Sequence, residues 1–171
     1  MTTRTSSTKS GGPVSIGDRA PDFTLPDQNG KPLHFADYLG KSSIVLFFYP
    51  KDNSAVCTAE ACAFRDRYEV FRDAGAVVIG VSNDSSESHA GFADQHRLPF
   101  TLLSDAKGQV RSLYGAKFLG LLPGRTTYII DKAGIIRHTF SAMMDGPKHV
   151  AEALRILKEI ADADKQLSNA R

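Results

Sequence analysis

Read for apolar and polar positions, the chain alternates short buried runs with amphipathic stretches from Val14 onward. "SIVLFFYP" is a continuous apolar run ended by Pro50, which predicts a central strand covered on both faces. "AVVIGVS" and "FTLLSD" predict two further strands. From Cys57 to about Ala74 the period becomes helical, with Phe64, Tyr68 and Phe71 on one face and Gly75 as a stop. Ser85 or Ser86 can cap a helix running to about Arg97, "AKGQVRSLYG" predicts a short helix, and a last amphipathic helix runs from about Pro147 to Asp164 or beyond.

Two segments read as hairpins. "DFTLPDQNGKPLHF" turns at Asn29-Gly30, and "TTYIIDKAGIIRHTF" turns at Lys132-Ala133-Gly134, while "GLLPGR" reads as a loop. Strands alternating with helices, and hairpins near both ends, imply an α/β chain with a mixed central β-sheet flanked by helices. That layout, with its N-terminal β-hairpin, agrees with a thioredoxin-like fold. Residues 14–171 form the expected single domain, and the polar Ser/Thr-rich residues 1–13 a disordered N-terminal tail.

Composition narrows the function classes. The chain has 171 residues, 42% of them hydrophobic and 23% charged, with a formal charge of +2. Scattered Lys and Arg and so small a net charge give no footprint for nucleic acid or an anionic membrane surface. Ile44–Tyr49, the longest strongly apolar stretch, is far short of the roughly 20 residues that span a bilayer. The N-terminus lacks the apolar core of a secretory signal, so a reducing, cytoplasmic compartment is expected, the alternative being an organelle such as the chloroplast if the tail is a transit remnant. "GVSNDSSESH" has no Gly-rich phosphate cradle.

Both cysteines, Cys57 and Cys62, lie in "YPKDNSAVCTAEACAFRD", where a strand gives way to a helix. At a first helical turn the free N–H groups and the dipole favour an anion, so a thiol at Cys57 is poised to ionise; the bland reading is a small buried hydrophobe. Residues five apart on an ideal helix differ by about 140° in direction and about 7.5 Å in rise, placing their Cα atoms roughly 8 to 9 Å apart. That exceeds the about 7 Å limit for a disulfide. An intact helix therefore cannot hold a Cys57–Cys62 bridge, and a cooperating pair requires the first turns to unwind. A metal site lacks neighbouring ligands, and the spacing is not C-x-x-C. His34, His89, His96, His138 and His149 are dispersed and read as surface or satisfied side chains, and Met143 and Met144 as loop or core filler. Phe and Leu of "AKFLGLLPG" fit either an apolar pocket rim or plain packing. Glu60 is an acid suited to a first turn.

"FFYPKDNSAVCTAEACAFRD" resembles the peroxidatic motif of peroxiredoxins, most closely the peroxiredoxin Q group, also called bacterioferritin comigratory protein. The family pattern Pro-x-x-x-Thr/Ser-x-x-Cys falls on Pro50, Ser54 and Cys57, and "PGRTTYIIDKAGIIRH" is similar to the later segment whose arginine falls on Arg125. The similarity extends from about Ile16 to Leu157. Ser54-Ala55-Val56 departs from the group's common Thr-Pro-Gly, losing a methyl that helps fix the hydroxyl's rotamer.

The resemblance implies a thiol-dependent peroxidase acting on hydrogen peroxide and organic hydroperoxides. Cys57 would become a sulfenic acid, Cys62 would resolve it as an intramolecular disulfide, and thioredoxin or a similar protein would reduce the bridge. Arg125 and Ser54 would orient the peroxide and stabilise charge, and Pro50 would shield the pocket. No metal, haem, flavin or other cofactor is implied, and the group resemblance implies a monomer. The alternatives are a general protein disulfide oxidoreductase and a redox-sensing module on the same fold.

Overall fold

The computed structural model describes residues 12–170. The tail expected over residues 1–13 lies outside the described residues as far as residue 11. Val14 already engages the body of the protein, donating its N–H to the Tyr114 carbonyl at 3.3 Å.

Five strands make the central sheet: β3 (Ser43–Phe48), β4 (Ala76–Ser82), β5 (Thr101–Ser104), β8 (Thr126–Ile130) and β9 (Ile136–Ser141). Their order is β5-β4-β3-β8-β9. β3 and β4 are parallel, as are β4 and β5, whereas β8 runs antiparallel to both β3 and β9. Every residue of β3 is buried. Alternation explains the unbroken apolar run: Val45, Phe47 and Tyr49 join one core cluster, and Ile44, Leu46 and Phe48 join the other on the opposite face. The first cluster includes residues of α1 (Ala55–Asp66), α2 (Tyr68–Asp73), α3 (Ser86–His96) and α5 (Gly146–Asn169); the second takes in Phe23, Phe35 and α4 (Gln109–Tyr114).

The N-terminal hairpin pairs β1 (Thr24–Pro26) with β2 (Pro32–His34), and Gly30 takes the left-handed conformation (φ 77°) in its turn. Ser85 caps α3, its side chain accepting the Ser88 N–H.

Two expectations need correction. The helix expected from Cys57 to Ala74 begins at Ala55 and is two helices, because Arg67 leaves helical geometry (φ −110°, ψ 11°). Its N–H closes onto Phe64 three residues back, and α2 then returns Phe71 to Phe64 with ring centroids 5.6 Å apart. "GLLPGR" is not wholly a loop: β6 (Lys117–Phe118) and β7 (Leu122–Pro123) pair antiparallel. Gly124 makes the close approach possible, since a Cβ there would stand 2.8 Å from the Lys117 carbonyl carbon.

Candidate active site

The sheet's register brings the site together. Phe48 pairs with Thr126, so the chain leaving β3 toward Cys57 and the chain entering β8 from Arg125 meet at one end of the sheet. Ser54 is extended (φ −73°, ψ 153°) and starts α1, whose third residue is Cys57. The first intrahelical bond runs from the Thr58 N–H to Ser54, leaving the earlier N–H groups without helical acceptors.

Cys57 is 1% exposed, and Arg125 is 3% exposed. The Arg125 Nη2 donates to Cys57 Sγ at 3.1 Å and its Nη1 to Glu60 Oε1 at 3.0 Å. Its Nε donates to the Met143 carbonyl at 3.0 Å, and its backbone N–H to Met143 Sδ at 3.2 Å. The guanidinium is thus aimed by three hydrogen bonds, to the Cys57 sulfur, the Glu60 carboxyl and the Met143 carbonyl. This geometry suits stabilisation of a thiolate and of charge developing on an attacked oxygen.

Glu60 lies one turn beyond Cys57 on the same buried face of α1, which also carries Ala61 and Phe64. Burial pushes its carboxyl up to about 8, with Arg125 pulling the other way. Its Oε2 has no hydrogen-bond partner among the described residues and lies 3.6 Å from His149 Nδ1. A Glu60 that holds its proton at neutral pH leaves the Arg125 charge to the sulfur. His149 is itself held neutral by burial, its Nε2 donating to the Ala142 carbonyl at 2.9 Å while Nδ1 faces the Thr127 hydroxyl at 2.8 Å.

The loop into α1 is tied at Asp52, which is 4% exposed. Its carboxylate accepts from Tyr49 Oη at 2.6 Å, Ser88 Oγ at 2.8 Å and His89 Nδ1 at 2.7 Å. The Asp52 N–H donates to Asp84 Oδ2 at 2.8 Å. Asn53 follows in the left-handed conformation (φ 63°), one that Asn tolerates better than most residues. Asp52, Asp84 and His89 hold ligand-type atoms within 4.8 Å of one another. Protein donors and acceptors already engage them: His89 Nε2, for one, donates to the Leu103 carbonyl at 3.0 Å.

Of the residues singled out from sequence, Cys57 and Arg125 touch. Pro50 is partly buried, two residues past the end of β3. Ser54 Oγ donates to the Lys51 carbonyl at 3.1 Å, so its proton goes to the loop, not to Cys57. Cys62 is half-buried and free, on the same continuous helix as the free Cys57 but turned away from it. Phe118, Leu119, Leu121 and Leu122 are exposed, which removes the plain-packing reading for them. His89 and His149 are buried with both ring nitrogens engaged.

Sequence reasoning missed Asp52, read Met143 as loop or core filler, and read Glu60 chiefly as a first-turn acid, whereas α1 starts at Ala55 and leaves Glu60 beyond its first turn. The i, i+3 spacing of Cys57 and Glu60 was a usable signal for a shared face. Nothing local pointed from Asp52 to His89, 37 residues on.

Residues 16–139 match the family described as AhpC/TSA. The chain is 50% identical over 147 residues to peroxiredoxin Q, chloroplastic, of Arabidopsis thaliana, covering 85% of this chain and 68% of that protein. It is 46% identical over 149 residues to the protein of the same name from Sedum lineare, covering 86% and 80% respectively. Among solved structures, peroxidoxin BcpB from Mycobacterium tuberculosis superposes with a TM-score of 0.79 at 39% identity, over 85% of this chain and 97% of that one.

Proposed function

Because the chain belongs to the AhpC/TSA family and is a thiol peroxidase with the thioredoxin-like fold of its peroxiredoxin relatives, we propose that Cys57 is its peroxide-reducing sulfur. The Cys57 thiolate attacks the nearer oxygen of a hydroperoxide. The O–O bond breaks, water or an alcohol leaves with a proton, and Cys57 is oxidised to a sulfenic acid. The observation that carries this reading is the buried 3.1 Å contact from Arg125 Nη2 to Cys57 Sγ at the first turn of α1.

Arg125 stabilises the thiolate before attack and the departing oxygen during it. Ser54, its proton committed to Lys51, keeps oxygen lone pairs free to accept from the peroxide's O–H. Pro50 shields the pocket entrance. The Cys62 thiol then displaces the sulfenic hydroxyl as water, forming an intramolecular disulfide. Both sulfurs sit on one continuous helix, so the start of α1 must unwind for this step.

A thioredoxin-type protein returns the dithiol by exchange. Hydrogen peroxide and organic hydroperoxides are the substrates, and residues 14–171 act as one monomeric unit. The plant relatives are named chloroplastic, which favours the organelle compartment over the cytoplasmic one.

The test couples NADPH oxidation to thioredoxin reductase, thioredoxin and this protein, with hydrogen peroxide or cumene hydroperoxide. Turnover is expected to vanish in Cys57→Ser. In Cys62→Ser a single burst of peroxide consumption should precede little further cycling. Oxidised wild type should show one Cys57–Cys62 bridge by peptide mass spectrometry. Undiminished turnover in Cys57→Ser would remove the central assignment; undiminished cycling in Cys62→Ser would remove the resolving step.

A further inference from the structure

A second buried guanidinium stands behind the site. Arg111 is 3% exposed and lies on α4. Its Nη2 donates to the Tyr49 carbonyl at 2.6 Å, and its Nη1 to the carbonyls of Gly124 at 2.8 Å and Ala116 at 3.0 Å. Nε donates to Asn83 Oδ1 at 3.3 Å, and the cation stands 5.6 Å from the Phe48 ring centroid. Tyr49 is the residue before Pro50, where the loop to Cys57 begins. Gly124 is the residue before Arg125. One rigid fork therefore clasps the two backbone segments that deliver the sulfur and its cationic partner.

None of the acceptors is a carboxylate, and no ion pair involving Arg111 occurs among the described residues. Asp105 accepts the Arg111 backbone N–H at 2.8 Å, not the guanidinium. Burial weakens this guanidinium's hold on its proton, and Asp105 and then Cys57 are the leading charges that restore it. Arg111 and Cys57 therefore share one buried electrostatic environment. The other ionisable groups facing the pair are Arg125 before β8, Glu60 on α1, His149 on α5, and Tyr49 and Tyr128, whose phenols burial keeps neutral.

We propose that Arg111 is a positioning residue for peroxide reduction: its fork holds the Tyr49 and Gly124 carbonyls so that Cys57 and Arg125 meet. This rests on Cys57 being the reacting sulfur. Arg111→Lys keeps the charge and loses the fork; Arg111→Met loses both.

Each change is made in the full chain on a Cys62→Ser background, so that Cys57 is the one thiol. Thiolate ultraviolet absorbance is followed against pH, and single-turnover reaction with hydrogen peroxide by stopped flow. In Arg111→Met the absorbance should appear at higher pH, because Arg125 Nη2 no longer meets Cys57 Sγ. The plateau rate should also fall by about tenfold or more, as expected when reacting groups are displaced. In Arg111→Lys, which also loses the fork, the titration should move in the same direction and the plateau rate should also fall.

An unshifted titration in Arg111→Met, or undiminished plateau rates in both variants, overturns the proposal. If the Met variant does not fold, Arg111→Gln carries the same test. These outcomes are distinct from failure of the Cys57 assignment, which would show as peroxide turnover surviving in Cys57→Ser with Arg111 intact.

Discussion

Asp52 and Glu60 are two buried carboxylates on either side of Cys57, and the chain treats them in opposite ways. Each has lost its water, a change that by itself pushes a carboxyl toward its neutral form. Burial is the largest influence at Asp52 too, yet the hydrogen bonds from His89, Tyr49 and Ser88 outweigh it and hold the group below its ordinary value. Glu60 receives one donor group, from Arg125, and burial prevails. The number of donors reaching the oxygens decides the protonation state. Asp52 becomes a fixed anchor for the loop entering α1, whereas Glu60 leaves the Arg125 charge uncancelled beside the sulfur.

Replacing the two acids should break this symmetry most visibly. Asp52→Ala strips one side of a buried charged network and should lose about 3–5 kcal/mol of stability. Glu60→Gln keeps the shape and removes an acid that the unfolded chain ionises but the folded chain holds protonated, so it should lose no stability at neutral pH. Urea unfolding at neutral pH compares them, and equal losses would erase the distinction.

The pH dependence sharpens it. The folded chain keeps the Glu60 proton up to about 8, whereas the unfolded chain releases it near 4.5. Its stabilising share is complete below the lower value and disappears as pH rises through the upper one. Wild type should therefore weaken relative to Glu60→Gln across that window by on the order of a few kcal/mol. Asp52 acts in the other direction: its pKa is lowered from 3.8, so its contribution is present above that value and is lost as pH falls through the folded one. Unfolding curves taken at a series of pH values, with Cys57 kept reduced, read both slopes. A wild-type curve parallel to that of Glu60→Gln would show that Glu60 stays ionised.

A smaller effect is expected where α5 presses on Glu60. A Cβ at Gly146 would stand 2.7 Å from Glu60 Cβ and 2.8 Å from its backbone N. Gly146→Ala should cost about 1–3 kcal/mol through overpacking, and slower peroxide reduction should accompany it as the Glu60–Arg125 contact shifts. Unchanged unfolding and kinetics would mean that the helices part freely there.

Features that depend on near neighbours were legible in the chain. The β3 run, the Ser85 cap and the 132–134 turn follow from period and turn chemistry, and the structure has each of them. The Arg67 break was not legible, since the apolar spacing of Phe64, Tyr68 and Phe71 continues across it. Cys57 could be placed at a helical start and kept apart from Cys62 because both facts are questions of rise and turn along one helix. Arg125 was legible as a candidate only through its resemblance to a family motif, not through its physics.

By itself, then, the sequence determined the alternation of elements, the buried strand and the position of the two thiols on α1, because periodicity and steric spacing act over a few residues. Only the tertiary structure decided that Arg125 reaches Cys57 across 68 positions, that Arg111 joins Tyr49 to Gly124, and that Asp52 is fully satisfied while Glu60 is not. Those outcomes depend on the pairing of β3 with β8 and the packing of α3, α4 and α5 around them. Desolvation and hydrogen bonding are set by whatever that packing brings within about 3 Å of each charge.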